Sequence, residues 1–256
     1  MKKYIVANWK MHPDSWAEAE GILDAVSQYL ESVPEKDNSL VVCPPFVFLE
    51  EVGKLLNTTS LGGRVELGAQ DIALTESTAL TGEISGAMLQ KLGVRHVIVG
   101  HSERRWKLGE SDIVVNQKIE TALEHELTPI VCVGEKERDD HYKEFLASQL
   151  DATFGGLSAD QVSKCLIAYE PVWAISTNPN TRPDNPESTL ESVRIIKDFI
   201  IGKWKLENGN SLKVLYGGSV TSKNANDFLS LDELAGVLVG GASVDKEQFV
   251  EILKQI

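Results

Sequence analysis

Eight short apolar runs, each followed by a longer amphipathic segment, place the strongest constraint on how this chain folds. The runs are Tyr4 to Trp9, Ser39 to Cys43, Val65 to Ala69, Val94 to Val99, Thr128 to Val133, Lys164 to Ala168, Leu212 to Tyr216 and Leu234 to Val239. Several are apolar at successive positions, as in Val97-Ile98-Val99 and Leu238-Val239, which suits strands buried on both faces, as in a parallel sheet. Between them, Trp16 to Leu30 sets Ala19, Ile22, Leu23, Val26 and Leu30 on one helical stripe, and Ile113 to Leu123, Leu190 to Trp204 and Phe249 to Leu253 behave alike. Asp14, Ser111 and Asp245 are the expected N-caps, and Pro186 is the expected first-turn proline. Strands and helices alternating over 256 residues, with no linker or low-complexity stretch, predict an α/β chain of one domain, residues 1–256, folded as a single (β/α)8 barrel. The rival doubly wound sheet needs a Gly-x-Gly-x-x-Gly after the first strand, and none is there.

Charge narrows the ligand. Lysine plus arginine number 25 against 38 aspartates and glutamates, a net charge of −13 that argues against nucleic-acid and anionic-membrane surfaces. An anionic ligand would therefore need a local cation. No apolar run reaches the ~18 residues of a transmembrane helix, and the apolar stretch in Met1 to Lys10 is too short for an export signal. The three cysteines, Cys43, Cys132 and Cys165, lie in or beside apolar runs without a Cys-x-x-Cys pair. Reduced, partly buried thiols in a cytoplasmic protein are expected.

In such a barrel the C-terminal strand ends carry the chemistry. Strand one ends in Asn8-Trp9-Lys10, strand four in Gly100-His101-Ser102-Glu103, and strand six in Tyr169-Glu170-Pro171. Strands seven and eight end in Tyr216-Gly217-Gly218-Ser219 and Val239-Gly240-Gly241-Ala242-Ser243. An acid, an imidazole, a cation and two glycine pairs thus converge on one rim, whereas strand ends two, three and five supply no comparable group. Two glycine pairs after the last two strands suit a phosphate, because backbone N–H groups approach an anion more closely without a Cβ. Ser102 beside His101 is not read as a Ser-His dyad, since successive side chains on an extended chain diverge. His12, His96, His125 and His141 lie off these motifs and are assigned to the surface.

The motifs Ala7-Asn8-Trp9-Lys10, Thr81-Gly82-Glu83-Ile84-Ser85, Gly100-His101-Ser102-Glu103-Arg104-Arg105, Cys132-Val133-Gly134-Glu135, Ala168 to Ile175, Tyr216-Gly217-Gly218-Ser219-Val220 and Leu238 to Ser243 run in order along the chain. Together they resemble the triosephosphate isomerases over essentially the whole length. The resemblance implies a TIM barrel that interconverts dihydroxyacetone phosphate and glyceraldehyde 3-phosphate through an enediolate, with no cofactor and no metal. It assigns Glu170 as the base, His101 as the electrophile, Lys10 as the cation held by Glu103, and Asn8 as a positioning residue. Ser176, Ser219, Gly240 and Gly241 match the phosphate contacts. Glu135 and Trp173 match a pair that holds an open lid, and Tyr216 supports the same rim. Cys132 matches a buried cysteine that serves packing.

The same resemblance implies a lid loop at about 171–186 and a homodimer formed through the loop at about 71–85, with Thr81, Gly82 and Glu83 at its tip. Leu80 replaces a usual aromatic there. The lid departs further from the family pattern. Ser176-Thr177-Asn178-Pro179 stands where Gly-Thr-Gly-Lys is usual, and the loop is about three residues longer by motif spacing. Asn178 tolerates positive φ better than most residues, and Pro179 and Pro183 stiffen the trailing hinge. A lid that closes on a redesigned trailing hinge is expected. The competing readings are an isomerase of another small sugar phosphate and a catalytically inactive phosphate-binding scaffold; retention of Asn8, Lys10, His101 and Glu170 speaks against both.

Overall fold

In the computed structural model, which describes residues 2–34, 37–76, 79–175, 181–206 and 212–256, eight parallel strands close into a barrel in sequence order. They are β1 (Tyr4–Asn8), β2 (Ser39–Cys43), β3 (Val65–Ala69), β4 (His96–Val99), β5 (Thr128–Val133), β6 (Leu166–Tyr169), β7 (Lys213–Tyr216) and β8 (Gly236–Val239). β8 pairs back onto β1, with Ala7 opposite Val239. The helices are α1 (Trp16–Ser32), α2 (Leu49–Thr58), α3 (Gly86–Lys91), α4 (Ser102–Leu108), α5 (Asp112–Glu124), α6 (Tyr142–Phe154), α7 (Ala159–Ser163), α8 (Pro186–Trp204), α9 (Ala225–Leu229) and α10 (Lys246–Leu253).

Strand alternation divides the core in two. Tyr4, Val6, Val41, Cys43, Ile98, Ile130, Cys132, Leu166, Ala168, Leu215 and Leu238 pack together in one cluster that fills the barrel. The intervening residues, Ile5, Ala7, Val97, Val99 and Ile167 among them, pack outward against helix residues such as Ile22, Leu23 and Ile119. Each strand therefore buries both faces, which is why its sequence shows apolar residues at neighbouring positions.

The sequence expectations hold for the number and order of strands and shift at several ends. β4 starts at His96, β6 at Leu166, β7 at Lys213 and β8 at Gly236. Lys164 instead caps α7, and the Leu234 N–H closes a turn onto Leu231 O. Hydrophobicity marks burial, whereas pairing register decides where a strand begins. α4 and α7 are short additional helices. Ser111 and Asp245 cap their helices as expected, and Asn185 caps α8 with Pro186 in its first turn. For α1 the cap is Ser15 rather than Asp14: its hydroxyl accepts the Glu18 N–H at 3.4 Å.

His96 is not a surface residue. β4 turns it into the barrel's N-terminal mouth, where Nε2 lies 2.9 Å from Glu66 Oε2 and the Ser39 hydroxyl donates to the other oxygen of Glu66. All three cysteines are wholly buried free thiols, and burial pushes Cys165 up to about 12. They serve packing.

Candidate active site

Residues at the C-terminal ends of β1, β4, β6, β7 and β8 line a single cavity of about 270 Å³. Asn8, Lys10, His101, Glu170, Gly217, Gly218, Ser219, Gly240 and Gly241 all border it. Five strand ends distant in sequence are thus brought to one rim by barrel closure.

Glu170 follows β6 and is buried. Its backbone N–H donates to Val133 O at 2.7 Å, which seats it tightly against β5. A β-carbon on Gly134 would lie 1.8 Å from Glu170 O, and one on Gly217 would lie 2.9 Å from Glu170 Cγ. Glycine on both flanks is therefore required for the acid to occupy this position. The Ser102 N–H donates to Glu170 Oε2 at 2.8 Å and the Ser102 hydroxyl to Oε1 at 3.3 Å, while His101 Nε2 lies 3.0 Å from Oε1. Burial alone would raise the pKa of this carboxyl, but His101, the Ser102 N–H and Lys10 outweigh it, and Glu170 sits below the usual carboxylate range.

His101 is the N-cap of α4, and its Nδ1 accepts the Glu103 N–H at 3.2 Å. Accepting at Nδ1 leaves the proton on Nε2, the nitrogen that faces Glu170 and the cavity. The turn from strand to helix at His101 is why Ser102 also reaches Glu170, against the expectation that neighbouring side chains diverge. The two do not form a dyad; both hold the acid.

Lys10 adopts φ 55°, a left-handed conformation uncommon for a residue with a side chain. Three contacts hold it there. Its N–H donates to Asn8 Oδ1 at 3.1 Å, its carbonyl accepts Gln70 Nε2 at 2.8 Å, and its ammonium lies 3.0 Å from Glu103 Oε1. The cation sought from the net charge thus stands in the cavity. Its partner Glu103 sits below the usual carboxylate range: burial raises it, and Lys10 and His101 more than reverse that.

Ser219 and the Gly240-Gly241 pair line the same cavity, and a β-carbon on Gly240 would lie 3.5 Å from Lys10 Cε. The Ser219 carbonyl accepts Asn224 Nδ2 at 2.9 Å, and Asn224 Oδ1 accepts the Thr221 N–H at 2.7 Å, so that turn is pinned. The Ser243 hydroxyl donates to Gly240 O at 2.7 Å and secures the other. Tyr216 stacks on Phe228 with centroids 3.8 Å apart and underlies Gly218.

A profile of the triosephosphate isomerase family matches residues 3–256. The chain belongs to the triosephosphate isomerase family. The triosephosphate isomerase of Mycobacteroides abscessus is 40% identical over 255 residues, covering 98% of this chain and 95% of that protein. That of Caldanaerobacter subterraneus is 39% identical over 258 residues, covering 99% of each. The crystal structure of the Bartonella henselae triosephosphate isomerase superposes with a TM-score of 0.84 at 29% identity, over 100% of this chain and 99% of that one.

Within this triosephosphate isomerase fold, most residues singled out from the sequence meet, and several unforeseen ones support them. Asn8, Lys10, His101, Glu170, Ser219, Gly240 and Gly241 share the cavity, and Glu103 reaches Lys10. Ser176 lies outside the described residues, as do Thr177, Asn178, Pro179 and Asn180 of the lid.

None of the described residues directly after β3 and β5 borders the cavity, but several support those that do. After β3, Gln70 holds Lys10 and Cys43 by their carbonyls, and Asp71 meets Lys118, Arg104 and Glu110 in a buried charge network. After β5, one oxygen of buried Glu135 accepts from Trp173 Nε1 at 2.9 Å, Tyr169 OH at 2.9 Å and Arg138 Nη1 at 3.2 Å. Arg182 also clamps Trp173: its guanidinium lies 4.9 Å from the ring centroid, and its backbone N–H donates to Trp173 O at 3.3 Å. Ser102, Gln70, Asn224 and Arg182 carried no signal in sequence, because each acts through a partner made adjacent only by folding.

Proposed function

We propose that this chain interconverts dihydroxyacetone phosphate and D-glyceraldehyde 3-phosphate. Family membership supports the reaction, and one geometric observation carries its assignment to residues: an ionised, buried Glu170 and the Nε2–H of His101 meet in a cavity also lined by Lys10, Ser219 and Gly240-Gly241.

The phosphate binds against the backbone of Ser219, Gly240 and Gly241, which orients the two reacting carbons toward Glu170. Glu170 removes a proton from the carbon beside the carbonyl and later returns one to the neighbouring carbon, while the hydroxyl proton passes from one enediolate oxygen to the other by way of His101 Nε2, so atoms and charge balance with no external acid or oxidant. His101, protonated at Nε2, and Lys10 face the oxygens on which the enediolate charge develops. The family is itself a known instance of a carboxylate base paired with a neutral imidazole. In the structure Glu170 is tied to Ser102 and His101, so substrate must displace those bonds before the acid reaches carbon. Drying of the site on closure removes water from the carboxylate and makes it a stronger base. Ser176 is the proposed lid contact to phosphate.

The proposed assembly is a homodimer in the cytoplasm. Met11, Phe46, Val47, Leu80 and Met88 are exposed apolar side chains, and all belong to the segments that follow β1, β2 and β3. A patch of this kind on one sector of the rim, with the Thr81-Gly82-Glu83 tip beside it, suits a second copy. Among the described residues no helix is long and apolar enough to cross a membrane.

A coupled assay of glyceraldehyde 3-phosphate isomerisation, with methylglyoxal monitored, tests the reading. Turnover lost in Glu170→Gln, with little methylglyoxal from the wild type, supports it. No turnover by a folded wild type would overturn it.

A further inference from the structure

The phosphate end of the cavity has one wall that the reaction scheme does not use. Beyond Gly240-Gly241 the cavity is bordered by Gln248, on the first turns of α10. The N-cap of that helix is Asp245, so a carboxylate stands four residues beyond Gly241, close in sequence to where a phosphate dianion would bind. Asp245 does not border the cavity itself, but its carboxylate lies 2.9 Å from the side-chain amide of a residue that does, and in a chain already at −13 a carboxylate at that remove opposes a bound anion.

Gln248 covers it. Its backbone N–H donates to Asp245 Oδ1 at 3.0 Å, and its side-chain Nε2 folds back to donate to Asp245 Oδ2 at 2.9 Å. Both oxygens are thereby engaged by the same residue. These bonds hold the Asp245 carboxyl below its ordinary value, so the charge persists at neutral pH and must be managed in place. Gln248 borders the cavity, its side chain is neutral, and the second Nε2–H has no protein acceptor among the described residues.

We propose that Gln248 is a specificity-determining residue for the phosphate. It screens the N-cap carboxylate of Asp245 from the bound dianion and leaves an amide donor at the phosphate end. This rests on the proposed phosphate subsite and goes beyond it, since Gln248 acts through Asp245 and not on the reacting carbons. An amide fits this place because it donates to a carboxylate on one side and adds no negative charge on the other. A glutamate would add a second anion to the wall.

The test compares the wild type, Gln248→Ala, Gln248→Glu and the double variant Asp245→Asn/Gln248→Ala. Each is assayed for KM and kcat with glyceraldehyde 3-phosphate and for inorganic phosphate affinity by calorimetry. Gln248→Ala should raise KM and weaken phosphate about fivefold with kcat changed less than about twofold, as expected for one uncovered charge at partly screened distance. Gln248→Glu should do so at least as strongly, and the penalty should shrink in high salt. Asparagine still accepts at an N-cap, so the double variant should recover most of the lost affinity.

Unchanged phosphate affinity in both single variants would overturn the proposal. So would a loss that the double variant fails to recover, which marks a loosened helix start instead of an exposed charge. Calorimetry reads phosphate without turnover, so an inactive wild type that still binds phosphate would count against the proposed reaction and not against Gln248.

Discussion

His101 Nε2 lies 3.0 Å from Glu170 Oε1, and the same imidazole caps the helix whose first N–H, on Ser102, holds the other oxygen of Glu170. Base and electrophile are therefore positioned by a single strand-to-helix turn. The acid is stored in a fully bonded resting place, and the geometry at carbon depends on the length of its side chain.

Glu170→Asp retains the charge and withdraws the carboxylate by one methylene. Displacement of a reacting group by about 1 Å costs on the order of 10²-fold in rate. The variant should lose about that in kcat with little change in KM, measured by steady-state kinetics, because the proposed phosphate contacts are made by other residues, Ser219, Gly240 and Gly241. A matching rise in KM would place Glu170 in substrate binding instead.

Lys118 is 3% exposed at its side chain and lies 2.7 Å from Asp71 Oδ1 and 2.6 Å from Glu110 Oε1. Arg104 completes the network, with Nη2 2.8 Å from Asp71 Oδ2 and Nε 2.7 Å from Glu110 Oε1. Lys118→Met leaves two buried carboxylates sharing one arginine. Breaking a buried network on one side costs about 3–5 kcal/mol. Chemical denaturation should find a loss of that size, and a loss below about 1 kcal/mol would mean the network is solvated in practice.

Glu66 is held at about 2, first by its hydrogen bond with His96, against an ordinary value of 4.5. The unfolded chain takes up this proton first as the solution is acidified. The contribution of Glu66 is therefore complete above its unfolded pKa and drains away as pH falls toward about 2. The wild type should lose its Tm advantage over Glu66→Gln progressively between pH 5 and about 2, followed by calorimetry. Parallel Tm curves for the two proteins would show that the pair contributes nothing specific.

Val47 is 75% exposed and Leu80 43% exposed, on the rim sector assigned to the second copy. Val47→Glu combined with Leu80→Glu adds like charges to both sides of a self-complementary contact. Sedimentation should report a dimer for the wild type and a monomer for the variant. A wild type that is monomeric at micromolar concentration would remove the homodimer from the account.

The barrel was legible because burial on both faces writes itself into each strand, as Val97-Ile98-Val99 does. The strand starts were not, since Cys165 and Leu234 are as apolar as their neighbours and only the parallel register excludes them. The groups around the cavity could be found wherever the chemistry sits at a strand end, as with Lys10, His101 and Glu170. Contributions made across the barrel stayed hidden. Gln70 reads as an ordinary loop residue until β3 sets it beside Lys10, and His96 reads as a surface histidine until β4 turns it onto Glu66. Asp14 and Ser15 are equally good caps by composition, and only the backbone turn selects Ser15.

The most direct measurement isomerises glyceraldehyde 3-phosphate in D2O and follows the product by NMR. Proton transfer through Glu170 and an enediolate predicts deuterium at C1 of the dihydroxyacetone phosphate formed, with turnover lost in Glu170→Gln. Turnover that survives the substitution would contradict the assignment of Glu170 as the base.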